Sequence, residues 1–188
     1  MKVNAITLRP GHILEKDDKL WKVLKHEIIH PGKGQSVIQV ELRDIESGTK
    51  DNVRFRTQET IERARLEQAD YQFLFKDGDI YTFMNNETFE QLTITEELIG
   101  DQSVYLQDGM QVSIESYEER PIGVSLPDSV TLEVVETEPV VKGQTASSSY
   151  KPAIVDNGVR VMVPPHIDPG TRIVVKTEDG TYVERAKD

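Results

Sequence analysis

Apolar residues in this chain come in short alternating or continuous runs that stop at Gly, Pro, Asn or Asp, a rhythm that fits β-sheet and little else. Val37-Ile38-Gln39-Val40-Glu41-Leu42 alternates, and Glu46-Ser47-Gly48-Thr49 turns the chain back. Val53-Arg54-Phe55-Arg56 alternates apolar with basic, so one face should be buried and the other cationic. Tyr71–Phe75 and Ile80–Met84 flank Lys76-Asp77-Gly78-Asp79, a strong hairpin signal. Val104–Leu106, Gln111–Ile114, Ile122–Leu126, Val130–Val135, Arg160–Val163 and Arg172–Lys176 continue the pattern. Only Thr60–Leu66 and Thr95–Ile99 suggest a turn or two of helix. The expected class is all-β, built from small barrels or sandwiches.

Two breaks, Arg63–Glu67 and Leu126-Pro127-Asp128, divide the 188 residues into three segments of similar size, 1–64, 65–127 and 128–188. Units this small bury a modest fraction of their surface. Charge is uneven across them. The formal net charge is −11, distributed as +2, −10 and −3. A mildly basic first third beside a strongly acidic middle would meet RNA at one end only. The chain has no cysteine, which removes disulfides, thiolate catalysis and cysteine-ligated zinc. No stretch approaches the apolar length of a membrane span, and the start lacks a signal-peptide core, so a soluble cytoplasmic protein is expected. Lys142–Lys151 is a polar, serine-rich loop closed by two lysines.

The most informative motif is His30-Pro31-Gly32-Lys33-Gly34-Gln35. Pro31 pre-sets φ for a turn, Gly32 suits the positive φ of a type II turn, and Gly34 clears the other flank. Lys33 then stands alone at the tip, suited to an anionic crevice or to covalent modification. Taken in isolation, the same four residues are also an ordinary solvated hairpin turn. A second motif overlaps it. His26-Glu27-Ile28-Ile29-His30 matches the H-E-x-x-H zinc-hydrolase pattern, with Leu20, Trp21, Leu24 and Ile28 on one helical face and Asp18 as a cap. Against it, Pro31 and Gly32 would end such a helix at its second ligand. The extended motif needs Gly and His where Lys33 and Ser36 stand, and His12 and His166 lie in no ligand-like setting. On a strand, His26 and His30 are two side chains of one face. Metal analysis would decide between these readings. No phosphate loop, dinucleotide fingerprint, nucleophile elbow or other catalytic constellation is present, and neither a cofactor nor a metal is expected.

Three motifs, in order along nearly the whole chain, resemble the bacterial elongation factor P family. The first is His30–Gln35 followed by Val40–Arg43 and Ser47–Thr49, the second Phe83–Gln91, and the third Lys151-Pro152-Ala153, Gly158, Val161–Pro164, Ile167 and Gly170. The resemblance implies an SH3-like (KOW-type) barrel carrying the lysine loop, then two OB-folds, in an elongated tRNA-like shape. It implies a monomeric binding protein, not an enzyme. Such a factor binds the ribosome beside peptidyl-tRNA and stimulates peptide-bond formation, relieving stalling at consecutive prolines. In many relatives the lysine matching Lys33 is extended, commonly with β-lysine, by a ligase resembling lysyl-tRNA synthetase. Pro31, Gly32 and Gly34 would support that lysine at the CCA end. Gly143 and Thr145 match a loop near the exit-site codon, where Gln144 replaces the usual acidic residue. Tyr182 and Arg185 match positions that lie against peptidyl-tRNA. The family's paralogous factor commonly lacks this lysine turn.

Overall fold

The computed structural model describes residues 1–139 and 149–187. Its strands are β1 (Lys2–Asn4), β2 (Ile13–Lys16), β3 (Lys19–Ile29), β4 (Val37–Asp44), β5 (Lys50–Arg56), β6 (Thr60–Arg63), β7 (Glu67–Asp77), β8 (Ile80–Asn85) and β9 (Gln91–Thr95). A single helical turn, α1 (Glu96–Ile99), leads to β10 (Gln111–Tyr117), β11 (Arg120–Ser125), β12 (Ser129–Thr137), β13 (Lys151–Val155), β14 (Arg160–Val163), β15 (Arg172–Lys176) and β16 (Tyr182–Arg185). These form three sheets, ordered β1-β6-β2-β3-β4-β5, β11-β10-β7-β8-β9 and β14-β13-β12-β15-β16. The all-β class and its small curled sheets agree with the expectation. By its contacts the chain divides into two compact units, Met1–Gln68 with Glu115–Ile122, and Ala69–Ile114 with Gly123–Asp188.

Alternation explains each core. In β4, Ile38, Val40 and Leu42 point inward and are fully buried, joined by Leu14, Trp21, Val23 and Ile61. Val53 and Phe55 close the open side of this core while Arg54 and Arg56 face water, as their spacing predicts. The second sheet buries Phe73, Tyr81, Phe83, Ile94, Val112 and Ile114. The third buries Val130, Leu132, Val134, Val161, Val163, Ile173 and Val175 among others.

Local readings fare unevenly. Asp77 pairs with Ile80 across a two-residue turn in which Gly78 takes φ 61°. Thr95 caps α1, its hydroxyl oxygen accepting from the Leu98 amide at 3.4 Å. Thr60–Leu66, however, holds no helix: its first four residues are β6, which pairs with β1 and β2. A helix of that length has no nucleus to stabilise it, whereas a strand slot between two partners satisfies its backbone. Val104–Leu106 is not a strand either. Asp101–Tyr105 is a 3₁₀ turn that drives Tyr105 into the third core.

Two hairpin turns lack glycine and went unread in the sequence. Asp17 and Asp18 (φ 54° and 60°) join β2 to β3, and Glu118 and Glu119 (φ 48° and 65°) join β10 to β11. Within the first unit the Tyr117 hydroxyl donates to the Glu15 carboxylate, and Arg120 pairs with Glu46. Ile122 buries beside Ile13 and Ala64. The bond to Glu15, then burial, pushes the Tyr117 phenol up from 10.0 to about 12. A raised acid of this kind favours folding fully below its unfolded value, and that contribution is lost as pH climbs through the folded one. The stability of this unit should therefore fall between pH 10 and pH 12, and fall less steeply in Tyr117→Phe. Urea melts followed by the emission of Trp21, the single tryptophan, check this; parallel curves for the two proteins would refute it.

Candidate nucleic-acid interface

The lysine loop occupies residues 30–36, between β3 and β4, just beyond the Ile29–Val37 pair. Its base is closed by a side-chain hydrogen bond between His30 Nδ1 and Ser36 Oγ, 2.7 Å long. Behind it, the Thr57 amide donates to the Ser36 carbonyl at 3.2 Å. Pro31, Gly32, Lys33, Gly34 and Gln35 are all exposed. Positive φ falls at Gly34 (109°) and not at Gly32, so the type II turn centred on Gly32 is corrected to a wider loop that reverses after the lysine. Glycine tolerates that conformation where Lys33 would be strained. A Cβ added at Gly34 would meet Pro31 Cγ at 4.0 Å, and one at Gly32 would meet nothing. Among the described residues no hydrogen bond or ion pair reaches the Lys33 ammonium, which leaves it free as a hydrogen-bond donor.

The face leading to this loop is cationic. Directly opposed residues in an antiparallel sheet share a face, and β3, β4 and β5 align Lys22 with Arg43 and Arg43 with Lys50. Arg54 and Arg56 stand on the same face, opposite Gln39 and Val37, and Lys25 stands opposite Glu41. Only Glu27 and Glu41 oppose these charges on this face, and Glu41 is engaged by Lys50 at 3.5 Å. Arg54 Nε donates to Gln39 Oε1 at 3.2 Å, which fixes the direction of its guanidinium. Three like charges side by side destabilise a sheet. On a chain of net charge −11, the basic residues of this face, from Arg56 and Arg54 near the lysine loop to the Lys22–Arg43–Lys50 row at the far end of the strands, make a localised polyanion-binding field.

The zinc-hydrolase reading does not survive. Residues 19–29 are strand, so His26 and Glu27 point to opposite faces, opposite Val40 and Gln39. His30 lies past the strand end, with Nδ1 already bonded to Ser36. Among the described residues no group of three or more His, Asp or Glu is placed to hold a metal.

In the other unit, Tyr182 and Arg185 lie on β16, the edge strand of the third sheet. The Tyr182 ring meets that of Tyr150 edge-on, centroids 6.3 Å apart at 88°. Burial, with the neighbouring Tyr150 and Glu184, pushes the Tyr182 phenol up. Arg185 is exposed. Gly143 and Thr145, with Gln144, lie outside the described residues. Pro31, Gly32, Lys33 and Gly34 thus share one loop, and Tyr182 and Arg185 share one strand. Sequence reasoning missed the His30–Ser36 closure and the Lys22–Arg43–Lys50 row. Both depend on cross-strand register, which the spacing of the basic residues alone does not fix.

A KOW-like barrel followed by OB-type sheets is an architecture of translation factors. The fold is similar to that of "Eukaryotic translation initiation factor 5A from Methanococcus jannaschii", with a TM-score of 0.53 at 21% identity over 68% of this chain and 92% of that one. Residues 4–61 match the family described as the elongation factor P (EF-P) KOW-like domain, 66–124 the EF-P OB domain, and 130–185 the elongation factor P C-terminal domain. The chain is 61% identical to elongation factor P of Rhodospirillum centenum over the full length of both. It is 55% identical to that of Zymomonas mobilis over 99% of this chain and 100% of the relative. The chain belongs to the elongation factor P family.

Proposed function

We propose that this elongation factor binds the ribosome beside peptidyl-tRNA and promotes peptide-bond formation at consecutive prolines, with Lys33 reaching the CCA end. The observation that carries the reading is an unpartnered lysine on a side-chain-closed loop, continuous with a cationic sheet face, in an otherwise acidic chain. Proline is a slow peptidyl donor and acceptor because its ring restricts the backbone near the reacting atoms. Holding the end of the tRNA lowers the orientational cost of reaching attack geometry. The chemistry stays in the ribosome; the factor supplies position. Lys33 would contact phosphate or 2′-hydroxyl groups, while Lys22, Arg43 and Lys50 would follow the phosphate backbone. An aminoacyl extension of Lys33, added by a ligase of the lysyl-tRNA-synthetase type, would lengthen that reach and add ammonium groups. Tyr182 and Arg185, with Gly143 and Thr145, would meet tRNA and the small subunit, and residues 1–64, 65–127 and 128–188 would act as three domains.

The test is binding to ribosomes halted on consecutive prolines, measured across a salt series. Each phosphate contact contributes a slope of about 0.7–0.9 in log affinity against log salt. The triple variant Lys22→Gln, Arg43→Gln, Lys50→Gln should flatten the slope by about 2. An unchanged slope would remove the phosphate assignment. Intact mass of protein from its own cells should carry an adduct on Lys33, and a wholly unmodified pool would remove the modification.

A further inference from the structure

Asparagine before glycine is a chemically perishable pair, because no side chain keeps the glycine nitrogen away from the asparagine carboxamide. This chain holds the pair once, at Asn157-Gly158. Its other asparagines, Asn4, Asn52, Asn85 and Asn86, precede Ala, Val, Asn and Glu. The pair lies in the turn between β13 and β14, where Gly158 is exposed and takes φ 84°.

Both ends of the Asn157 amide are engaged. Oδ1 accepts from the Val159 amide at 3.1 Å, and Nδ2 donates to the Val104 carbonyl at 3.0 Å. A main-chain amide only donates and a carbonyl only accepts, so these partners fix which way the side chain points. The second bond leaves the third sheet. It reaches the 3₁₀ turn that carries Tyr105 into the third core, within the same compact unit. The fit there is close, for a Cβ added at Gly180 would lie 2.5 Å from Tyr105 Oη. Gln107 Nε2 spans the same junction, donating to the Thr131 carbonyl at 2.9 Å.

We propose that Asn157 is a site of spontaneous deamidation, and that its conversion unfastens the 3₁₀ turn of the second sheet from the third sheet. The Gly158 nitrogen gives up its proton and bonds to Asn157 Cγ, the Cγ–Nδ2 bond breaks, and ammonia leaves carrying that proton. Water then opens the cyclic imide at one carbonyl or the other, giving aspartate or isoaspartate. The fold gates the first step. The Gly158 amide donates to the Val155 carbonyl at 2.8 Å, and ring closure needs that nitrogen free. β14 is the edge strand of its sheet, so the hairpin opens locally at a fraction of the global cost. The consequence falls on one bond. A carboxylate still accepts from the Val159 amide, but it offers no hydrogen to Val104 and sets oxygen against oxygen across that contact. The turn persists and the tether is lost.

The test is peptide mapping of the full chain aged in mildly alkaline buffer, folded and in denaturing urea, in parallel. Conversion should reach residue 157 before any other asparagine and yield isoaspartate as well as aspartate. It should run about tenfold or more slower in the folded chain, the protection expected when one or two backbone bonds must open first. Asn157→Asp should melt about 2–4 °C below the natural protein, the cost of one unsatisfied carbonyl in a chain of this size. It should also speed amide exchange at Leu106, whose amide closes the 3₁₀ turn on the Ser103 carbonyl, and leave exchange at Val159 unchanged. Equal rates in the two conditions, earlier conversion of another asparagine, or a folded chain that keeps Asn157 intact while the unfolded chain converts fully would each overturn the proposal. So would an Asn157→Asp protein with natural melting temperature and natural exchange at Leu106.

Discussion

Lys33→Ala should slow synthesis through consecutive prolines by about tenfold or more, the loss expected when one or two charge-assisted hydrogen bonds to RNA disappear, and should leave proline-free messages nearly unchanged. The selectivity follows from the mechanism. A group that only steadies the end of peptidyl-tRNA helps where orientation limits the rate and contributes little where it does not. Lys33 is exposed and unpartnered, so its removal leaves no buried group unsatisfied and the fold should be indifferent to it. Lys33→Arg separates charge from covalent extension. It retains a cation at the tip but offers no amine for acylation, and should fall between the natural protein and the alanine variant. Reporter synthesis in a reconstituted translation system, with and without consecutive prolines, provides the measurement. Equal slowing of both message classes would count against the mechanism.

Phe83→Ala should be the most damaging single change to stability, at about 3–5 kcal/mol for truncation of a buried aromatic. Phe83 is 0% exposed, and its ring lies 5.4 Å from that of Phe73. It sits opposite Phe73 on one side and Leu92 on the other, so it fills the centre of the second sheet's core. Its neighbours Phe73, Tyr81 and Ile94 belong to a small sheet with few other residues to close a void. Phe83→Leu, which keeps most of the apolar volume, should cost less than half as much. Urea unfolding followed by circular dichroism distinguishes the two. Equal losses for Ala and Leu would mean that ring geometry, rather than volume, holds this core.

Much of this was legible in the sequence because period-2 alternation is a local signal. The cores of β4, β5 and β12 could be read from alternation and β8 from its apolar run beside a turn, and the lysine loop stood out through Pro31, Gly32 and Gly34. Thr60–Arg63 misled, since its polar and charged residues fit a short helix as well as a strand, and only pairing to β1 on one side and β2 on the other decides. The Glu118-Glu119 turn was hidden because it forces positive φ on residues that rarely signal it, and Asp17-Asp18 because Asp18 serves equally well as a helix cap. The H-E-x-x-H pattern shows the same limit. Its spacing is meaningful on a helix and empty on β3, and local sequence permits both. Cross-strand features such as the Lys22–Arg43–Lys50 row appear only after register is known.

The bond between His30 and Ser36 has a bearing on how far the lysine tip can travel. Tethered at its root, the loop leaves the strands from a closed base, so the length of the side chain it carries adds directly to its extent into a crevice. A modifying enzyme that lengthens that side chain would therefore alter the depth probed while leaving the base of the loop unchanged.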